Sequence, residues 1–495
     1  MIQKVFNEGS ILARPDSGWV PPKYADDITD LFDTWGAVRS RNINLTNLYR
    51  MERQLQNLGI TEMPESLRMI SCVMGWPKKA VDVIATRSQF DGFVFKGNTD
   101  QRLNRLVKEN RLRTKYSQAW TMALVHGLSN FTIMHGLKGQ PRVKVRVFSA
   151  NQSCVLWDKD SERVKCGIVL ADVDRKGRAS KYILHEPDAV VTITRVGKNW
   201  AYEEEHNPMG RPLIEPLIHD ADLDRPLGHS RITPEVIAIT DKAMRDVMNM
   251  EVGAAFWTWP QRYMLGVDPD LINDPARVQK ADDDNDGEQS EDERQPTGKT
   301  RLELYLGEIL ALTKDSEGDI PTVGQFQPLD VSNLTKMFEN DAQRFSGATN
   351  VPLGQLGVMS NTYTSSDALG AANNPLILDV ERMNDRNQET LETIARMMMA
   401  IDLGVTLDKL SDDQFNVVAH FDDPSKPTIS ALADAWTKLG SNDKELIGTR
   451  PYYEGIGLPS ETIDRIESAK AAKSSINALN RIADVMEHTT KPKDV

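Results

Sequence analysis

Along most of this chain apolar residues return every three or four positions, the interval that lines one face of a helix, and one block alternates instead. The helical interval covers Ala25 to about Gln56 and reappears within Pro64–Thr86, where Trp76-Pro77 interrupts it. It runs again from Asp100 to about His135, basic at first through Arg102, Arg105, Lys108, Arg111, Arg113 and Lys115, which reads as a solvated helix face. Pro141–Val196 has period two, as in Val143-Val145-Val147 and Lys181-Tyr182-Ile183-Leu184-His185. With a turn at Asp174-Arg175-Lys176-Gly177, it predicts a small antiparallel β region. Residues 1–25 carry Pro15, Pro21 and Pro22 and read as extended.

The second half opens on a clear helix start. Thr233 can cap, Pro234 fits the first helical position and Glu235 suits the positive end of the dipole, so a helix is expected to about Trp257, stopped by Pro260. Arg262–Val267 and Leu302–Leu306 look like strands, with a strongly acidic run between them. A helix follows from Asp330 to Phe345. Another runs from about Pro375 to Ala400, with Leu376, Val380, Met383, Leu391, Ile394 and Met398 on one face. Beyond Pro424, Ile429–Leu439 and Pro459–Glu487 are helical again. The sum is an α+β chain, mainly helical, with no internal repeat.

Between the last two long helices, Phe345–Ser366 reads FSGATNVPLGQLGVMSNTYTSS without one charge, although 26% of the chain is Asp, Glu, Lys or Arg. Gly347, Gly354, Gly357 and Pro352 are expected to break any helix, and the later polar residues need water or partners. This predicts a long neutral loop outside the core.

Composition narrows the function classes. At 495 residues, two to four domains are expected, and 40% hydrophobic content supports real cores. Three cysteines without a CxxC pair do not make a disulfide framework or zinc ribbon. No signal region and no run of about 18 apolar residues occurs, so a soluble protein made in a reducing compartment is expected. The net charge is −13, and Pro260–Leu329 alone holds 7 basic against 16 acidic residues, a net of −9. Such a chain cannot displace counterions broadly from a phosphate backbone, which sets aside most sequence-specific DNA binders.

Several motifs resemble chemistry and fall short of it. Asp282, Asp284, Asp286, Gly287 and Glu293 match a calcium loop, but Gln289 stands where a core-coupling apolar residue belongs, and Pro296-Thr297-Gly298 blocks an exit helix. A solvated acidic loop accounts for the run. Gly298-Lys299-Thr300 ends like a phosphate loop, yet Glu293 occupies the required glycine position. Gly455-Ile456-Gly457 lacks a third glycine and a preceding strand. His206, His219 and His229 lie near one another without a nucleophile or metal partner, and read as satisfied or exposed side chains. No catalytic residue, cofactor site or metal site is expected.

The order of parts is more telling: helical arm, β region, His206-Asn207-Pro208-Met209-Gly210-Arg211-Pro212, the segment Gly228–Ile232 (GHSRI) opening a helix, an acidic β insert, a second helix, the segment Asn350–Gly357 (NVPLGQLG), a long helix and a helical tail. That succession resembles phage portal proteins, the head-tail connectors of long-tailed double-stranded DNA phages, especially those infecting actinobacteria, over essentially the whole chain.

The resemblance implies a portal-type fold. Residues 1–230 would be the wing, 231–259 and 330–347 the paired stem helices, and 260–329 a small α/β clip with its acidic loop at 281–294. Residues 348–370 would be the tunnel loop, 371–424 the long wing helix and its return, and 425–495 a helical crown. It implies a ring oligomer, normally of twelve, at one capsid vertex of the virion, assembled in the host cytoplasm. Double-stranded DNA would pass through the channel. The terminase large subunit, the head-tail adaptor, the major capsid protein and scaffolding protein would be partners, with no membrane involved. The DNA-facing set would be Asn350, Gln355, Ser360, Asn361, Thr362, Tyr363 and Thr364 of the loop, with Lys336 and Arg344 on the helix leading into it. Arg262, Arg301, Glu303 and Glu308 would form the docking face of the clip. Two other readings compete with it: a metal-dependent hydrolase using the Asp282–Glu293 acids, which lack a supporting core, and a head-tail adaptor or minor capsid protein without a channel, a class usually shorter and without paired helices around a β insert.

Overall fold

The computed structural model describes residue 15 and residues 20–52, 72–95, 101–136, 139–258, 262–265, 322–325, 331–358, 366–425, 429–443, 445–458, 462–463 and 465–470. Two compact units divide the chain, one to Phe421 and one from Asp422.

In the first unit, helix α1 (Ala25–Tyr49) lies over a five-stranded antiparallel sheet. Its strands are β4 (Ser153–Asp158), β5 (Arg163–Val173), β6 (Ala179–His185), β7 (Ala189–Val196) and β8 (Asn199–His206), in that spatial order. Alternation explains the packing: Cys166, Ile168 and Leu170 of β5 face Ile28, Leu31, Phe32 and Trp35 of α1, while Val169 joins Val155, Ile183 and Ile214 on the opposite face. The Trp35 indole N–H, buried with the ring, donates to the Ala150 carbonyl at 3.1 Å.

A second sheet has β2 (Leu128–His135) between β3 (Val143–Ser149) and β9 (Ile214–Ile218). Three helices precede it: α2 (Trp76–Arg87), then, after strand β1 (Phe90–Phe95), α3 (Gln101–Asn110) and α4 (Leu112–His126). Helix α5 (Pro234–Thr258) leads into β10 (Arg262–Leu265), which pairs antiparallel with β11 (Thr322–Gln325), and α6 (Val331–Thr349) returns. The long α7 (Ser366–Leu403) and short α8 (Asp412–Phe415) end in β12 (Val417–Phe421), which pairs with β1. The largest core joins α2, α4, the start of α5, the end of α6 beside it, and α7. Trp76 stacks against Phe345 and Phe338 with ring centres 5.1 and 5.4 Å away. Among the described residues no helix is long and apolar enough to cross a membrane.

The second unit contains α9 (Ile429–Asn442), α10 (Arg450–Gly455) and helical residues 465–470. Trp436 meets Tyr452 edge-on at 6.2 Å, and Arg450 pairs with Glu454 and Glu467.

The elements correct the sequence reading in several places. The stretch from Asp100 is not one helix to His135: it breaks at Arg111, in the left-handed region at φ 51°, and Leu128–His135 is strand. Trp76-Pro77 opens α2 instead of interrupting a helix, because proline fits the first turn. The β region runs past Val196 to His206 and gains Ile214–Ile218. Phe345–Ser366 is not wholly loop or outside the core. α6 continues through Gly347 to Thr349, and Phe345, Val351 and Leu356 are buried. The expected Leu302–Leu306 strand lies outside the described residues. The helix placed from Pro375 begins at Ser366 and holds Pro375 inside it, while Leu376, Val380, Leu391, Ile394 and Met398 are buried as expected.

Candidate functional site

The two segments that carried the resemblance meet in space. Gly228–Ile232 crosses the end of α4, where a helix leaves its last carbonyls without intrahelical partners. Ser230 Oγ donates to the Val125 carbonyl at 2.6 Å, and the Arg231 backbone N–H donates to Leu124 at 2.8 Å. The Arg231 side chain then reaches further: Nε donates to the Ala80 carbonyl of α2 at 2.8 Å, and Nη2 to Thr349, the last residue of α6, at 2.5 Å. Burial pulls the Arg231 guanidinium down to about 10, against the opposing pull of Asp379 and Asp220, so it stays charged at neutral pH. One residue thus ties α2, α4 and the exit of α6, the first and last through its side chain and α4 through its backbone N–H.

Gly228 is required by the same crossing. Its φ is +76°, and an added Cβ would lie 2.2 Å from the His219 carbonyl oxygen. His219 in turn is fixed by the loop: its Nδ1 faces the His229 carbonyl at 2.6 Å, which can only accept, so Nδ1 carries the proton.

The second segment starts one residue after Thr349. Asn350 takes φ 55°, a conformation asparagine tolerates better than most residues, and its Nδ2 donates to Asp379 of α7 at 2.9 Å. Val351 plugs the core, and Leu353–Leu356 forms a single 3₁₀ turn.

α5 and α6 form a pair whose ends are fixed at both extremes. The residues preceding α5 hold the end of α6 through Arg231, and α5's far end and α6's beginning flank the β10–β11 pair, so the helices run antiparallel. Between them Lys242 Nζ lies 3.0 Å from Asp246 and 2.7 Å from Asp341. Both aspartates are buried. Burial lowers the Lys242 pKa, but the bonds to Asp341 and Asp246 outweigh it and the net shift is upward.

Of the residues singled out in advance, Lys336, Arg344 and Asn350 are exposed and Gln355 is half-buried, all along the path from α6 into the loop. Arg344 stands 4.0 Å from Asp341, at the limit of an ion pair. Ser360, Asn361, Thr362, Tyr363 and Thr364 lie outside the described residues, as do Arg301, Glu303 and Glu308. Arg262 sits in β10 opposite Gln325. The acids of Asp282–Glu293 and the Gly298-Lys299-Thr300 segment also lie outside the described residues.

The other decoys resolve into structure. Gly455, at the end of α10, gives room to Trp436, whose ring atoms come within 1.8 Å of where a Cβ would stand. The basic run beyond Arg102 is mostly exposed and ion-paired, as with Arg113 to Asp91 at 2.8 Å and Arg105 to Glu109 at 3.7 Å. His206 is exposed and its Nδ1 meets the Asp188 carbonyl at 3.1 Å. The sequence reading missed the tethering role of Arg231 and the Lys242 bridge. The signal available for the latter was the Lys242/Asp246 spacing of four on a helix.

A family model described as phage portal protein, SPP1 Gp6-like, matches residues 30–448. Two curated relatives are each named portal protein. The one from Mycobacterium phage D29 is 28% identical over 429 residues, 83% of this chain and 82% of its own length. The one from Mycobacterium phage L5 is 28% identical over 415 residues, 81% of this chain and 79% of its own. Among solved structures, a chain from the virion of a native gene transfer agent particle has a TM-score of 0.42 at 13% identity, covering 78% of this chain and 90% of that one. That last likeness is too distant to carry an argument.

Proposed function

This chain belongs to the phage portal protein family, SPP1 Gp6-like, and from that premise we propose that twelve copies close into a ring at one capsid vertex, with double-stranded DNA packaged and ejected along its axis. The family is a structural, non-enzymatic component of the phage virion, so the hydrolase reading is dropped.

The observation that carries the channel reading is the antiparallel α5–α6 pair, braced by Lys242 against Asp246 and Asp341 and leading straight into the uncharged segment at Asn350. A rigid helical wall beside a neutral loop suits a conduit. Each copy carries −13, so a ring multiplies acidity around its opening and disfavours adhesive contact with phosphates. Neutral amides and hydroxyls at Asn350, Gln355, Ser360, Asn361, Thr362, Tyr363 and Thr364 would touch the backbone without strong ion pairs, and the exposed Lys336 and Arg344 would add weak attraction. The acidic residues 260–329 would form the clip, docking the terminase large subunit and later the head-tail adaptor, with Arg262, Arg301, Glu303 and Glu308 on that face. Capsid and scaffolding proteins would contact the wing during assembly in the host cytoplasm.

Native mass measurement of the purified full-length protein tests the ring. A closed species near twelve subunits is expected, and a protein that stays monomeric under all assembly conditions would leave the adaptor reading in place. The channel is tested by one charge per subunit. Thr362→Glu and Thr362→Arg should both assemble, yet both should impair packaging or ejection, the first by repelling phosphates and the second by holding them. Full infectivity of both variants would remove the loop from the channel wall.

A further inference from the structure

Where the first turn of α1 crosses the five-stranded sheet, three metal-ligating side chains converge. The register Gly167↔His185 sets Cys166 of β5 against Glu186, which follows β6, and Asp27 of α1 lies over both. One ligand atom from each, Cys166 Sγ and a carboxylate oxygen from Asp27 and Glu186, all fall within 4.8 Å of one another. Cys166 and Glu186 are 0% and 4% exposed, whereas Asp27 is partly open to solvent.

Glu186 carries the argument. Its Oε1 is buried and has no hydrogen-bond partner among the described residues. A carboxylate oxygen in that position is costly unless something charged or protic satisfies it. Lys165 does not fill the role: its Nζ donates to Asp27 Oδ1 at 2.6 Å and leaves the second Asp27 oxygen available.

We propose that Asp27, Cys166 and Glu186 form a three-ligand site for a borderline divalent cation of the zinc(II) or cobalt(II) kind, with water completing the tetrahedron on the Asp27 side. One thiolate with two carboxylates suits such an ion better than magnesium or calcium, which take oxygen alone. Lys165 would orient the outer oxygen of Asp27, as groups around a metal's ligands commonly do.

Without a cation the acid has another way to rest. Burial raises Glu186 to about 8, Asp27 and Asp188 push the same way, and Lys165 and Lys23 oppose them. Burial likewise pushes the Cys166 thiol up, with Glu186 and Asp27 adding to it.

The test is cobalt(II) titration of chelator-stripped full-length protein. Expected are a thiolate-to-cobalt charge-transfer band at one equivalent per chain and its loss on adding zinc(II). The band should vanish in Cys166→Ser and persist in Cys72→Ser. Glu186→Gln keeps the thiol and should bind cobalt at least tenfold more weakly, which decides the matter if Cys166→Ser does not fold. No band in the wild-type protein, a band that survives in Cys166→Ser, or unchanged cobalt affinity in Glu186→Gln would each overturn the proposal.

Discussion

Arg231 donates from Nη2 to the Thr349 carbonyl, 118 residues further along the chain, while Nε holds Ala80. Replacing it leaves the terminal Thr349 carbonyl facing a buried gap and takes a second bond from Ala80, whose carbonyl lies inside α2. Arg231→Met should lower stability by about 2 kcal/mol, since one buried acceptor left alone costs roughly 1–3. Arg231→Lys should recover only part, because an ammonium keeps the charge but cannot reach both carbonyls as a planar fork. Denaturant titration of both variants gives the comparison, and equal stability of the two would show that the fork geometry is unimportant.

Two glycines should respond in opposite directions. Gly228→Ala forces a side chain into a left-handed backbone and against the His219 carbonyl, and a loss above about 3 kcal/mol is expected. Gly347 lies inside α6 with nothing within 4 Å of an added Cβ. Gly347→Ala should stabilise the unassembled subunit by roughly 0.5–1 kcal/mol. Thermal melts of the two variants beside the parent check both signs.

The Lys242 bridge offers a test of pairing against packing. Lys242→Met strands two buried aspartates, for an expected loss of about 2–3 kcal/mol, below the 3–5 of a fully buried pair because Lys242 is itself partly solvated. The triple change Lys242→Met, Asp246→Leu, Asp341→Leu should restore most of it, as apolar replacements of whole buried pairs often do. A triple variant less stable than the single one would mean that the charges set the α5–α6 geometry as well as satisfying each other.

Burial, with minor opposition from its bond to the His229 carbonyl, lowers the His219 pKa to about 4. The unfolded imidazole takes up its proton near the ordinary 6.5, so between 6.5 and 4 the unfolded chain holds the extra proton. Folding therefore weakens as pH falls through that window, by up to about 1.4 kcal/mol per unit for this one group, and the loss is complete below 4. His219→Gln should show a shallower fall in melting temperature between pH 6.5 and 4 than the parent. Parallel curves would show that His219 is already charged when folded.

Much of the architecture was legible where one residue type had one local job. Thr233-Pro234-Glu235 announced α5, and Thr233 Oγ1 does accept from the Val236 N–H at 3.3 Å. The stripe from Leu376 to Met398 announced α7. Misreadings came where burial replaced pattern. β2 is buried on both faces through most of its length, so Leu128–His135 shows no alternation and looked like the continuation of a helix. Gly347 and the neutral composition argued for loop, yet Phe345 against Trp76 and the buried Thr349 hold the last turn of α6 together. At the site, GHSRI and NVPLGQLG were visible as segments. Their meeting through Arg231 was not, because no local period encodes a hydrogen bond between residues so far apart.

The pairing of β1 with β12 joins Phe90 to Phe421 and Val94 to Val418. During synthesis β1 leaves the ribosome with its partner still more than three hundred residues away, about a minute at the slow end of translation rates of roughly 5–20 residues per second. Until then its backbone edge stays unpaired, and Phe90, which meets Tyr116 of α4 with ring centres 5.9 Å apart, lacks its contact with Phe421. The first unit therefore completes only once Phe421 has emerged, and a fragment ending before Val417 leaves β1 without its mate. A chain terminated in that interval would keep β1 as an open edge, the kind of strand that pairs readily with other chains.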